Sequence, residues 1–318
     1  STTFVITADH GHTDSGGHGG WEPSVLHVPA VFSGDGIRPA KGTGDLQQIA
    51  PTVAVLLGLR DPAFAEAQAI RSVVATNNQA VFASDQAHHL AFDSEYVDVT
   101  NGHGTSQQDG MGDGTPDGAV AAARQGRLAA ERWSRLPLAV AIWIAVIAVA
   151  AAIGMVSWRA LVSAFAGSAA YYVVYGGLFF VIHGYHWSLS AFNTETYVKT
   201  FMNWRLGEAG IAALVGVAVA AFVYPLLRRN PKGPQTLEYL SGYLALGPAT
   251  ILVLLGTLWT QVAWYLWQWG ADVVWMLPDL RLAFKYDLDL VQMSAIGVCA
   301  LFAPLVTYLI GRYHPKVM

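Results

Sequence analysis

The chain has 318 residues, a formal net charge of −4, 53% hydrophobic residues and a single cysteine, Cys299. One cysteine excludes any disulfide within the chain, so cysteine pairing says nothing about the compartment. Residues 1–135 carry 15 acidic and 8 basic side chains, and residues 136–318 carry 7 and 10. An acidic first part without a Lys/Arg cluster argues against nucleic acid as a partner. The second part sets sparse charge between long apolar runs, as membrane segments do.

In chain order, Thr3-Phe4-Val5-Ile6-Thr7 reads as a short buried strand whose C-terminal end delivers Asp9 and His10. A second apolar strand pattern, interrupted by Pro29, covers Val25 to Phe32, and Ser33-Gly34-Asp35-Gly36 signals a turn. Asp45 to Leu59 predicts an amphipathic helix with Asp45 as N-cap and Gly58 as its stop. Residues 63–74 suggest another helix and Ala80-Val81-Phe82-Ala83 a short strand. Thr100 to Gly118 is rich in Gly, Asp, Gln and Ser and predicts a loop; residues 119–135 predict a juxtamembrane helix running straight into apolar sequence. The chain opens inside what reads as a strand, which leads us to expect a preceding segment.

Five stretches reach the roughly 20 apolar residues that a bilayer crossing needs. They are approximately Leu136–Val156, Ala160–Ile182, Ala209–Leu227, Leu244–Trp267 and Leu290–Ile310. Tryptophans such as Trp158, Trp187, Trp204, Trp269 and Trp275 gather at their ends, as an interfacial belt would. With residues 1–135 outside, the inner connections hold six basic residues (Arg159, Arg228, Arg229, Lys232, Arg312, Lys316). The outer ones hold four (Lys199, Arg205, Arg281, Lys285), a small margin in favour of that orientation. His183, His186 and Glu208 fall at span ends, where an ionisable group costs little.

The densest set of ligand-type side chains is Asp9-His10-Gly11-His12-Thr13-Asp14-Ser15-Gly16-Gly17-His18-Gly19-Gly20. A carboxylate beside an imidazole, with a further imidazole eight residues on, suits Zn²⁺ or a similar divalent ion. The glycines let the backbone fold tightly enough for Asp9, His10 and His18 to converge. His12 reads as pocket-lining or exposed, Asp14 as a loop-ordering residue, Glu22 as a solvated carboxylate and His27 as structural. His88 and His89, with Asp85, Asp93 and Glu95, match no ligand spacing and read as a surface segment. Asp109, Asp113 and Asp117 lack the spacing and closing Glu of a calcium loop.

The stretch Thr7 to Gly20 resembles the alkaline phosphatase superfamily, in particular its type I phosphodiesterases and the ethanolamine-phosphate transferases of glycolipid-anchor assembly. The resemblance runs through residues 3–59: an Asp-His-Gly turn, a Gly-x-His-Gly-Gly turn, Gly34-Asp35-Gly36-Ile37, then Ile49-Ala50-Pro51-Thr52 through Leu56-Leu57-Gly58-Leu59. It implies an α/β fold, with residues 1–118 as the C-terminal portion of an alkaline-phosphatase-like sheet domain, while the apolar stretches predict an all-α transmembrane bundle of about five helices over residues 136–318. It also implies two zinc ions, Asp9 and His10 holding the one nearer the nucleophile and His18 the other. The Thr or Ser nucleophile and the remaining ligands would lie upstream, so this stretch alone would not react. The resemblance thus points to a phosphoesterase or phosphotransferase working through a covalent phospho-enzyme. The protein would be multi-pass in the cell membrane with an extracytoplasmic catalytic domain, the bilayer as partner and a lipid-linked phosphate as candidate substrate. The contrasting reading is a membrane scaffold or transporter-like protein with a degenerate phosphatase-like domain.

Overall fold

The computed structural model describes residues 2–13, 20, 22–60, 62–75, 79–102, 116–188, 191, 198–227, 237–270 and 280–313. The chain divides into two compact units, residues 1–11 with 23–133, and residues 12–22 with 134–318.

The first unit contains β1 (Thr3–Ile6), α1 (Pro23–Leu26), β2 (Val31–Gly34), α2 (Ile49–Leu57, entered through a 3₁₀ turn at Leu46–Gln48) and α3 (Gln79–Gly102). Strands β1 and β2 pair antiparallel, Thr3 opposite Gly34 and Ile6 opposite Val31. An isolated antiparallel bridge joins Ile37 to Val74. The expected α/β sheet domain is therefore not what the chain forms. Helix predominates, and the described residues contain one two-stranded sheet. The physical reason lies in cover. A parallel sheet needs further strands and a helix on each face, whereas Phe4, Ile6 and Val31 are each more than half exposed. An apolar run does not become a buried strand unless something lies against it.

Two further expectations change for local reasons. Residues 63–74 are turns and not a helix, because side chains take their backbone donors. The Ala69 amide donates to the Asp85 carboxylate (3.3 Å) and the Ile70 amide to Thr52 Oγ1 (2.8 Å). Residues 80–83 are the start of α3 and not a strand. Asp85, His89 and Asp93 are buried at four-residue spacing along α3, the period of one helix face. His89 Nε2 lies 3.1 Å from Asp93 Oδ2, so this is a buried polar face and not the expected surface segment.

Helix α2 forms as expected. Gly58 caps it in the left-handed conformation (φ 67°), and the amide of Leu59 returns to the Ala54 carbonyl at 2.9 Å. Thr52 is fully buried in α2, donating to Gln48 O (2.6 Å) while accepting from Ile70. Thr52→Val keeps the shape but strands the Ile70 amide. We expect a loss of about 1–3 kcal/mol, read from chemical unfolding of the full chain against wild type.

In the second unit, α4 (Pro116–Val156) carries the chain from residue 134 onward and continues unbroken through Pro137. It is followed by α5 (Trp158–Gly176), a π turn at Gly177–Ile182, α6 (Val198–Leu226), α7 (Leu237–Trp269), α8 (Leu280–Cys299) and α9 (Ala303–Tyr313). Four spans, Gln125–Val156, Trp158–Ile182, Val198–Leu226 and Tyr239–Trp269, are long and apolar enough to cross a membrane. Arg281–Cys299 and Ala303–Tyr313, bent by 56° at their break, make a fifth if the pair is counted as one span. By length and composition this is a multi-pass membrane protein.

The bundle core brings Tyr171 and Tyr175 of α5 against Ala209, Ala212 and Val217 of α6, Leu254 and Leu258 of α7, and Ile296 of α8. Small residues set the spacing between helices, as is usual where lipid removes the hydrophobic drive for association. Gly167 of α5 and Gly216 of α6 meet backbone to backbone: a Cβ built on either would lie 2.5–2.6 Å from the other's carbonyl oxygen. Gly247 of α7 stands equally close to Ala303 of α9.

Candidate functional site

The Asp9-His10-Gly11 turn follows β1 closely. Its geometry comes from three contacts. The His10 amide donates to Asp9 Oδ1 (3.0 Å), His10 Nδ1 donates to the Gly11 carbonyl (2.7 Å), and the Gly11 amide donates to Val25 O (2.8 Å). A carbonyl can only accept, so Nδ1 carries the proton and the ring lone pair sits on Nε2. That is the second-sphere bond by which proteins orient metal-binding imidazoles. His10 Nε2 lies 3.7 Å from Asp9 Oδ2. Two tetrahedral zinc ligands at ~2.05 Å stand about 3.3 Å apart, so only a small adjustment would place both on one ion. The Asp9 side chain is 88% exposed, which leaves its carboxylate open to such an ion.

Gly11 is required by space. A Cβ there would fall 1.9 Å from the Ser24 carbonyl oxygen. Glu22 accepts from the Gly20 amide at 2.8 Å, which makes it a loop tie more than a solvated carboxylate. His18 and Asp14, with Asp109 and Asp113, lie outside the described residues. Among the described residues, no group of three His, Cys, Asp or Glu side chains is placed to hold a metal ion.

A second polar constellation sits in the bundle, built from charges that sequence reading assigns to span ends and outer connections. Arg205 and Glu208 are on α6, both buried, with Arg205 wholly so. Glu208 Oε1 accepts from Arg205 Nη2 (2.8 Å) and contacts His183 Nε2 (2.7 Å), beyond the π turn. The Arg205 guanidinium lies over Tyr185 and Phe201, 4.9 and 5.1 Å from the ring centres. On α8, Lys285 donates to Asp289 Oδ2 (2.5 Å) and to Gln261 Oε1 of α7 (2.6 Å). Gln292 links Asp289 to the Tyr171 hydroxyl. The signal available beforehand was spacing: Arg205 and Glu208 are three apart and Lys285 and Asp289 four apart, the separations at which helical neighbours pair.

No family model matches the chain, and no solved structure matches it. Over 52 residues it is 40% identical to alkaline phosphatase PhoV of Synechococcus elongatus, a stretch covering 16% of this chain and 10% of that protein. The chain thus spans about a tenth of the length of the curated relative it matches. The likeness supports the alkaline phosphatase superfamily and nothing finer. That short likeness and the four to five apolar helices among the described residues fit a membrane-associated, phosphatase-like protein.

Proposed function

We propose that the chain belongs to a membrane-embedded, metal-dependent phosphoesterase or phosphotransferase acting on a phosphodiester or lipid-linked phosphate, with its phosphatase-like part outside the cell membrane. The observation that carries this reading is the Asp9–His10 pair. Its imidazole is oriented by the Gly11 carbonyl and its carboxylate is exposed, in a chain similar over a short stretch to an alkaline phosphatase. Asp9 and His10 would hold one divalent ion and His18 would serve the second. Such ions supply Lewis-acid stabilisation of a phosphoryl group and lower the pKa of the attacking oxygen. The chain's own residues orient the site: Asp9 is held by the His10 amide, His10 by the Gly11 carbonyl, and the turn by Val25.

Zinc content and hydrolysis of bis(p-nitrophenyl) phosphate by the full-length protein test the reading together. We expect chelation to abolish turnover and added Zn²⁺ to restore it. Asp9→Asn and His10→Ala should each lower bound zinc, and His18→Ala should lower it independently. Zinc content unchanged in all three variants, or turnover indifferent to chelation, would overturn the metal assignment.

A further inference from the structure

The lysine–aspartate network on α8 lines a cavity of about 270 Å³ between α5, the π turn, α7 and α8. Its apolar wall is Phe179, Phe180, Trp187 and Leu288, and its polar wall is Tyr172, Tyr175, Gln261, Lys285, Asp289 and Gln292. We propose that this cavity binds the phosphate-bearing headgroup of a membrane amphiphile.

Most hydrogen-bonding groups in the polar wall are already spoken for. Asp289 uses Oδ2 for Lys285 and Oδ1 for Gln292. The Tyr172 hydroxyl accepts from Gln261 Nε2 (2.9 Å) and shares a bond with Thr257 (2.8 Å). Two groups keep capacity. An ammonium has three N–H donors; Lys285 uses two, on Asp289 and Gln261, and otherwise lies over the Tyr286 ring at 4.3 Å, so its third donor has no oxygen acceptor. The Tyr175 hydroxyl is buried and has no partner. Unused donor capacity in a cavity calls for acceptor oxygens, and a charged donor binds an anionic oxygen most strongly.

Size and position separate an amphiphile from a free anion. The volume falls just below the roughly 300–1,000 Å³ of pockets that enclose whole ligands, so it suits a headgroup whose tails lie outside. Phe180 and Trp187 supply a ledge for those tails, about 40% exposed and edge to face at 5.6 Å. The cavity also sits near span ends. Tyr175 and Phe179 lie in the closing turns of the span ending at Ile182, and Lys285 lies four residues after the span opening at Arg281. Span ends are where headgroups reside. The π turn widens the helix beside the cavity, a form that recurs at functional sites.

Binding of phosphatidylglycerol to the full-length protein in detergent, followed by native mass spectrometry, tests the proposal without reference to catalysis. The experiment therefore stands or falls separately from the metal site. Wild type should retain the lipid. Tyr175→Phe should weaken it about fivefold or more, with folding intact, because the hydroxyl removed has no partner in the protein. Lys285→Met should weaken it about tenfold or more. Dioleoylglycerol, which lacks the phosphate, and glycerol 3-phosphate, which lacks the tails, should each bind at least tenfold more weakly than the intact lipid. Equal retention of phosphatidylglycerol by wild type and Tyr175→Phe would overturn the site, as would equal binding of dioleoylglycerol. Glycerol 3-phosphate binding as tightly as the lipid would make it a soluble-anion site and overturn the amphiphile.

Discussion

Arg205→Met should destabilise the protein by about 3–5 kcal/mol, the usual cost of removing one partner of a buried ion pair. Arg205 is fully buried, and its Nη2 donates to Glu208 Oε1 at 2.8 Å. Without the guanidinium, the Glu208 carboxylate keeps one imidazole contact, to His183. Its Oε2 is already buried without a partner. The methionine would also forfeit the stacking over Tyr185 and Phe201. The informative comparison is Arg205→Met combined with Glu208→Met. Removing both charges avoids the orphaned carboxylate, so the double variant should lose less than the single one. Thermal unfolding of the full chain in detergent, with all four members of the cycle, measures the coupling. Strict additivity would show that the two charges do not depend on each other.

Gly216→Val should cost about 3 kcal/mol, at the upper end for overpacking a closed contact. At this position α6 meets α5 with the Gly167 backbone as its nearest neighbour. A Cβ would lie 2.6 Å from the Gly167 carbonyl oxygen and 3.5 Å from Tyr171 Cβ, and no flexible side-chain end can yield. The helices must separate, and Tyr171 and Val217 beside the contact then lose their packing. Gly207, also on α6, is the control. A Cβ there meets nothing within 4 Å, so Gly207→Ala should be neutral or should gain up to about 1 kcal/mol from helix propensity. A Gly216→Val variant as stable as Gly207→Ala would show that the α5–α6 contact does not set the cost.

The membrane-crossing helices are legible in the sequence because a run of about 20 apolar residues has few other uses. Helix α2 is legible because Gly58 marks its stop, taking the left-handed conformation that costs glycine least. What was not legible depends on partners distant in the chain. Residues 63–74 have helical composition, yet Thr52 and Asp85, from outside the segment, take the amides of Ile70 and Ala69. The strand at Thr3–Ile6 exists, but its apolar pattern could not say that its faces would lie open. The Asp9–His10 pair was legible as a motif because its members are adjacent. Arg205, Glu208, Lys285 and Asp289 were not, because charges at the margin of an apolar run look like connection charges until the neighbouring helices are in place.

The π turn at Gly177–Ile182 has a consequence for how the chain tolerates length changes. Its bonds skip one residue more than an α-turn does: the His183 amide reaches Leu178 O at 3.0 Å. The turn is equivalent to one surplus residue wound into the helix. Deleting a single residue there would restore regular α-helix at no cost in backbone bonding, yet would rotate everything downstream by about 100°. His183 would swing away from Glu208, and the ring stack between His183 and Tyr185, 5.0 Å centre to centre, would lose its place over the guanidinium. The surplus residue thus acts as a phase setting: it fixes which way the end of α5 faces, and with it whether the buried charges of α6 have an imidazole to meet.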